Sequence, residues 1–243
     1  MQPTKIEWLH WPDGRPGYSW NPIKGLCPVG CWYCYARKIY HRFGFIKNPG
    51  IPGLSINELE AFGDKWTRGR GHWIKDNIGP KKLAGIFVCS TFELFHPVTL
   101  RWRDDIFTVI KSHPEHTFFI LTKLPQNIDR PMPENVWLGV SCDGQDWKKD
   151  DEKIISLYFN AQAANKFISF EPLLGEVANL SDHIKWMNWI IIGQVTGHGK
   201  KYTARKTWVR NIIEAAHPEG IPVFLKNNLA PIWPGKLIQE FPK

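Results

Sequence analysis

Short apolar runs recur along the chain from residue 86 onward. Each is three to five residues long and consists mostly of β-branched and aromatic side chains, which is typical of strands buried on both faces. The predicted strands cover residues 86–89, 118–121, 136–140, 167–170, 189–192 and 223–225. We expect one further strand near the N-terminus.

Helical periodicity separates several of these strands. Apolar residues recur three and four positions apart in three segments, namely Ile106 to Ile110, Ile154 to Ala161 and Val209 to Ala216. A fourth helical face, formed by Ala36, Ile39, Tyr40 and Phe43, follows the cysteine-rich segment. Strands that alternate with helices of this length predict βαβ units in an α/β fold with a mainly parallel sheet. We expect one domain over residues 1–243.

Residues 44–84 interrupt this alternation, and we interpret them as a basic insert. Ser55 and Glu58 have the spacing of a capping box and predict a helix that continues through Leu59 and Phe62. The stretch from Arg68 to Lys82 is basic and contains glycine and tryptophan.

Polar residues directly follow most of the predicted strands. The segments are Ser90–Glu93, Thr122–Lys123, Ser141–Asp143, Glu171–Pro172 and Gly193–Gly197. In parallel α/β folds and barrels, active sites lie at the carboxyl ends of strands. The pattern therefore predicts one site built from five separate segments, although strand ends are also where ordinary polar loops begin.

Composition and charge narrow the classes of protein. Hydrophobic residues make up 43% and charged residues 22% of 243 positions, which excludes a disordered or collagen-like chain. The net charge of +8 fits a polyanionic partner, nucleic acid above all, but also serves solubility alone. No apolar run approaches the ~20 residues that cross a bilayer, and we recognise no signal peptide. We expect a cytoplasmic protein with no membrane partner.

The five cysteines indicate a metal site rather than disulfides. Their number is odd, and Cys27, Cys31 and Cys34 lie within eight residues. Three thiolates on one short loop can bind three irons of a cubane cluster. Cys89 and Cys142 lie at predicted strand ends, so the simplest site has three protein ligands and one open iron. A structural zinc or another three-thiolate metal site is the alternative.

The spacing Cys-x-x-x-Cys-x-x-Cys, with an aromatic residue before the last cysteine, resembles the signature of the radical S-adenosylmethionine superfamily. This resemblance implies a partial (β/α) barrel of about six parallel strands. It also implies a [4Fe-4S] cluster on Cys27, Cys31 and Cys34, with S-adenosylmethionine at the open iron and an electron donor such as flavodoxin or ferredoxin. Reductive cleavage would give a 5′-deoxyadenosyl radical that abstracts hydrogen from a substrate.

A second resemblance covers nearly the whole chain and concerns a phage- and bacterium-encoded family recognised by its three-cysteine motif. The similar segments are Lys5–Trp8, Trp20–Pro22, Cys34–Ala36, Phe95–His96, Leu121–Lys123, Asn135–Ser141, Glu171–Gly175 and Trp208–Arg210. The function of that family is unknown, so the resemblance implies no substrate.

The superfamily resemblance implies candidate contacts for the methionine part of S-adenosylmethionine. Many members carry Gly-Gly-Glu after the second strand, and this chain has Ser90 to Glu93 instead. Ser90 or Glu93 is therefore expected to bind the ammonium group, because a carboxylate is its natural partner. Ser141 is expected at the carboxylate, while Lys123 would bind either that carboxylate or the substrate.

The same resemblance implies contacts for the nucleoside part. The backbone of Tyr33 is expected to meet the adenine. Gly193 and Gln194 resemble the glycine-bearing strand that lies along the adenine, where glycine permits close approach. Glu171 is expected to bind the ribose hydroxyls.

The substrate of such a radical is open, and three observations favour nucleic acid or a nucleotide. They are the net charge, the stretch from Arg68 to Lys82 and the segment from Gly197 to Lys206. Basic segments with interleaved aromatics suit phosphate contacts and base stacking. The alternatives are a non-enzymatic nucleic-acid-binding protein with a structural three-cysteine metal site, and a degenerate barrel that acts as a partner subunit.

Overall fold

The computed structural model describes residues 1–43, 51–62, 80, 82–178, 180–196 and 202–243. These residues form two compact units, Met1–Ile120 and Leu121–Lys243. Most of the interpreted insert 44–84 and residues 197–201 lie outside the described residues.

Parallel strands form the centre of the first unit. Its strands are β1 (Gln2–Pro3), β2 (Gly17–Trp20), β3 (Ile23–Lys24), β4 (Gly53–Leu54), β5 (Gly85–Val88) and β6 (Thr117–Thr122), the last of which ends two residues into the second unit. Strand β2 pairs parallel with β5, and β5 pairs parallel with β6. Strand β1 pairs antiparallel with β2, while β3 and β4 form a separate antiparallel pair.

The described residues of the first unit include three α-helices, namely α1 (Tyr35–Phe43), α2 (Ile56–Leu59) and α3 (Leu100–Ser112). The apolar face predicted for α3 is confirmed, since it is buried. In α1 the predicted face is confirmed only in part, because Ala36 is buried whereas Ile39 is 46% exposed.

Helix α2 follows Ser55 as predicted, and a 3-10 helix (Glu60–Phe62) continues it. The predicted capping box is wrong, because the Ser55 side chain makes no capping hydrogen bond. The Glu58 carboxylate instead accepts a hydrogen bond from Lys24 Nζ at 2.8 Å, so it ties α2 to β3.

The part of the second unit that the structure describes contains four strands that are all parallel and pair in chain order. They are β7 (Val136–Cys142), β8 (Asn165–Phe170), β9 (Trp189–Ile192) and β10 (Val223–Leu225). Its helices are α4 (Trp147–Asn160), α5 (Ser181–Ile184) and α6 (Lys206–Ala216). The strands and the two longer helices confirm the predicted elements of this part of the chain.

Strand register places the polar strand ends of this unit side by side. Ser141 of β7 is in register with Ser169 of β8, so both side chains lie on one face of the sheet. Two residues towards the amino end of each strand, Gly139 is in register with Phe167. A Cβ on Gly139 would come within 2.4 Å of the Phe167 ring. Glycine is therefore required where that ring crosses the neighbouring strand.

The described residues thus form a mixed α/β structure with mostly parallel strands, which confirms the coarse fold class. No strand pairing among them closes a barrel. None of the described helices is long and apolar enough to cross a membrane.

Candidate functional site

The three clustered cysteines lie on the loop between β3 and α1 and line one cleft of the first unit, which we call the cysteine cleft. Its lining consists of Leu26, Cys27, Gly30, Cys31, Cys34, Ala36, Arg37, Tyr40 and Thr91. All three thiols are half-buried. Gly30 has φ +70° with no atom closer than 3.7 Å to an added Cβ, so the loop needs glycine for its backbone conformation.

The Cys27 thiol has the most strongly perturbed environment of the three. Burial raises its pKa, and the Glu93 carboxylate and Cys31 raise it further. The backbone amides of Val29 and Glu93 lower this pKa, but their effect is smaller than that of burial. Burial and the carboxylate therefore favour the neutral thiol until a cation is present.

Arg37 connects the cysteine loop to α1. Its Nη2 donates to the carbonyl oxygen of Cys27 at 3.0 Å, and its side chain lines the cysteine cleft. A guanidinium stays protonated, so the cleft has a fixed positive charge that offsets negative charge on thiolates.

The donor set fits a thiophilic metal or an iron–sulfur cluster, because three thiols on one cleft are the soft ligands that such centres select. In the structure the three thiols are not drawn together. Over the described ranges, no group of three or more His, Cys, Asp and Glu side chains stands in an arrangement that could hold a metal ion. Binding of a metal ion or cluster by all three thiols would therefore require the cysteine loop to contract.

Ser90 and Glu93 follow β5 and have different surroundings. Ser90 is half-buried, and its hydroxyl donates to Asn21 Oδ1 at 3.1 Å. Glu93 is only 6% exposed, and its Oε1 accepts from the backbone N–H of Phe95 at 3.0 Å. One carboxylate oxygen of Glu93, an expected partner of the ammonium group, is thus already hydrogen-bonded within the loop that follows β5.

The loop after β5 is held by hydrogen bonds from a buried arginine. Arg103 of α3 donates to the carbonyl oxygens of Leu94 at 3.2 Å and His96 at 3.0 Å. His96 Nδ1 accepts from the N–H of Val98 at 3.2 Å, which is a helix-capping role. These contacts fix Glu93 beside Cys27.

Tyr33 and Cys89 also belong to the first unit. Tyr33 is half-buried, and its ring meets Trp32 edge-on with centroids 5.3 Å apart. Cys89 is buried with φ +54°, and burial raises the pKa of its thiol.

In the second unit, two of the expected residues are paired with lysines. Ser141 Oγ accepts from Lys123 Nζ at 2.6 Å. The Glu171 carboxylate forms an ion pair with Lys226, which follows β10. A Cβ on Gly193 would lie 2.9 Å from Lys226 Cδ and 3.3 Å from Glu171 Cγ, so glycine leaves room for that pair.

Gln194 is clamped by Asn228. The N–H of Gln194 donates to Asn228 Oδ1 at 3.2 Å, and Asn228 Nδ2 donates back to the Gln194 carbonyl at 2.7 Å. The sequence interpretation missed Lys226 and Asn228. A signal for them existed, because both closely follow the predicted strand 223–225.

Asn21 was also missed, although it directly follows β2. Its Oδ1 accepts from both Ser90 Oγ and the backbone N–H of Thr91, the latter at 3.2 Å. Of the two basic segments expected to meet nucleic acid, residues 68–79, 81 and 197–201 lie outside the described residues.

Comparison with known proteins gives one finding. A family model described as "Protein of unknown function (DUF5131)" matches residues 3–230. The chain belongs to this family. No curated protein matches the chain, and no solved structure does. The matched range includes the cysteine cleft and all the strand-end residues of the second unit, but the family description names no activity.

Proposed function

We propose that this DUF5131 protein is a radical S-adenosylmethionine enzyme in which Cys27, Cys31 and Cys34 hold a [4Fe-4S] cluster. The observation that carries the proposal is that three thiols with radical S-adenosylmethionine spacing line a single cleft. When bound, the cluster supplies the electron that splits S-adenosylmethionine into methionine and a 5′-deoxyadenosyl radical. The partial (β/α) barrel of that superfamily is part of the proposal.

Groups of the chain around Cys27 suit this role. The backbone amides of Val29 and Glu93 favour the thiolate form of Cys27, and hydrogen bonds to ligand sulfurs are one of the means by which a protein tunes the potential of a cluster. The Arg37 guanidinium reduces the electrostatic cost of gathering thiolates in one cleft.

Ser90 and Glu93 are proposed to bind the ammonium group of S-adenosylmethionine. Glu93 lies beside Cys27, and its burial strengthens an ion pair with a cationic ligand by lowering the local dielectric. Asn21 orients the Ser90 hydroxyl. The adenine contact expected of the Tyr33 backbone belongs to the same proposal.

The contacts expected of Ser141, Glu171, Gly193 and Gln194 are also part of it. In the second unit these residues are positioned by Lys123, Lys226 and Asn228. The need for an external electron donor follows from the reductive cleavage.

The decisive experiment uses anaerobically purified and reconstituted protein. Iron and sulfide are quantified, dithionite and S-adenosylmethionine are added, and 5′-deoxyadenosine is measured by mass spectrometry. We expect about four irons per chain, as a cubane cluster requires, and formation of 5′-deoxyadenosine.

Cysteine variants provide the control. Cys27→Ala, Cys31→Ala and Cys34→Ala should each abolish cleavage and lower iron content, whereas Cys89→Ala and Cys142→Ala should retain both. Full iron retention in the triple variant would contradict the proposal. Bound zinc without cleavage would favour a nucleic-acid-binding protein with a structural metal, and absence of any metal would favour a partner subunit.

A further inference from the structure

Positive charge is concentrated in the part of the chain that contains the cysteine loop. From Gly14 to Asn57 there is no Asp or Glu, whereas there are six Lys and Arg residues. Because the whole chain has a net charge of +8, this segment supplies a large share of the excess. It includes α1, whose sequence has no acidic residue.

An exposed apolar stripe runs along one side of α1 and the turn before it. Trp32 is 46% exposed, Tyr35 is 51% exposed and Ile39 is 46% exposed. Tyr35 and Ile39 are four residues apart and therefore lie on the same side of α1, while Trp32 lies in the turn that precedes Tyr35. Large apolar side chains grouped at the surface indicate a binding surface more often than scattered ones do.

The two aromatic rings are held in place although about half of each is exposed. The Tyr35 hydroxyl donates to the carbonyl oxygen of Ser90 at 3.0 Å. Trp32 packs edge-on against Tyr33 with ring centroids 5.3 Å apart. Rings that are fixed before binding lose little conformational entropy when a flat ligand stacks on them.

Cationic side chains lie beside this stripe. Lys38 and Arg42 are exposed on α1, three residues beyond Tyr35 and Ile39 respectively. We call Trp32, Tyr35, Lys38, Ile39 and Arg42 together the α1 surface. It combines aromatic faces with positive charge, and the helix that presents it has no carboxylate.

The other side of α1 lines the cysteine cleft. Ala36, Arg37 and Tyr40 line that cleft together with the three thiols. One helix therefore separates the α1 surface from the cleft by its own width, about 10 Å.

We propose that the α1 surface binds single-stranded nucleic acid, with bases stacked on Trp32 and Tyr35 and phosphates at Lys38 and Arg42. Stacking platforms flanked by cations are how proteins bind single strands without sequence preference. Charge complementarity favours a polyanion, and exposed flat rings favour one that presents bases. That this nucleic acid is the substrate rests on the proposed function, whereas binding itself does not.

The test measures binding of a fluorescently labelled oligothymidine of about 12 nucleotides by anisotropy, on protein as purified and after reconstitution. Trp32→Ala and Tyr35→Ala should each weaken binding about five- to a hundred-fold, the range of base stacking on one ring. Lys38→Ala and Arg42→Ala should each lower the slope of log affinity against log salt by about 0.7. Trp32→Phe keeps an aromatic ring and should therefore retain most of the wild-type affinity.

Matched controls exist elsewhere on the chain. Phe159 of α4 is 71% exposed, and Lys148 of the same helix is also exposed. Phe159→Ala and Lys148→Ala remove an exposed aromatic and an exposed cation without touching the α1 surface, so they should bind like the wild type. Circular dichroism confirms that every variant is folded.

Three results would overturn the proposal. Wild-type affinity in both Trp32→Ala and Tyr35→Ala would exclude stacking. Equal losses in Phe159→Ala would show non-specific binding. Competition by polyglutamate as strong as that by oligonucleotide would indicate a surface for an acidic protein. Failure of the proposed function is distinguishable, because it removes 5′-deoxyadenosine formation and leaves anisotropy binding intact.

Discussion

Gly193→Ala tests whether the strand end of β9 is shaped around the Glu171–Lys226 ion pair. An added Cβ would lie 2.9 Å from Lys226 Cδ, and ordinary carbon–carbon contact begins near 3.5 Å. Lys226 must therefore retreat by about 0.5 Å or more. Because its ammonium is paired with Glu171, the retreat lengthens the ion pair.

The magnitude follows from the exposure of the partners. The side chains of Lys226 and Glu171 are 15% and 28% exposed, which is between a buried pair and a surface pair. Surface pairs contribute about 0–1 kcal/mol and hydrogen bonds to charged groups about 1.5–3 kcal/mol. We therefore expect Gly193→Ala to lower the free energy of unfolding by about 1 kcal/mol.

Urea unfolding of a double-mutant cycle measures this coupling. Lys226→Ala removes both the ammonium and the Cδ atom that the added Cβ would meet, so Gly193→Ala should cost only a few tenths of a kcal/mol in that background. Gly53→Ala is the matched control, because no atom lies within 4 Å of its Cβ position. An equal cost of Gly193→Ala in both backgrounds would show that Lys226 is not what requires glycine.

Three further predictions concern packing, thiol reactivity and pH. Gly139→Ala should destabilise the protein by about 1–3 kcal/mol in urea unfolding, because its Cβ would enter the Phe167 ring; a variant as stable as the wild type would contradict this. Glu93→Gln removes a carboxylate that raises the pKa of Cys27, so alkylation of metal-free Cys27, followed by peptide mass spectrometry, should become faster; an unchanged rate would refute the electrostatic link. Burial lowers the pKa of His116 below its ordinary 6.5, so the free energy of unfolding should fall as pH drops below about 6.5. His116→Gln should make that fall less steep. An equally steep fall in the variant would show that other groups cause it.

The strands could be predicted because burial on both faces leaves a direct signature. Every residue of β7 is buried, so its apolar run needs no polar alternation to be recognised. By contrast, β3 and β4 have two residues each, which is too short for any periodicity. Their pairing joins residues that are 29 and 31 positions apart in the chain, and no local pattern records such contacts.

For each interaction in the site, the sequence predicted one residue but not its partner. The strand-end rule identified Glu171, which directly follows an apolar run, and Gln194, which is the second residue after one. It did not identify Lys226 and Asn228 as their partners, because that requires knowledge of which strands lie side by side. The periodicity of α1 likewise predicted a helix correctly but could not reveal that Ile39 faces outwards.

The two faces of α1 allow binding and chemistry to be separated. Cys27→Ala changes the side that lines the cysteine cleft, so it should abolish 5′-deoxyadenosine formation and leave oligonucleotide affinity within about two-fold of the wild type. Trp32→Ala changes the exposed side, so it should weaken oligonucleotide binding and retain iron and the cleavage that occurs without nucleic acid. Both quantities are measured on the same reconstituted samples. If each variant lost both properties, the exposed rings would be supporting the loop rather than binding a ligand, and the reason for their exposure would have to be sought in a protein partner.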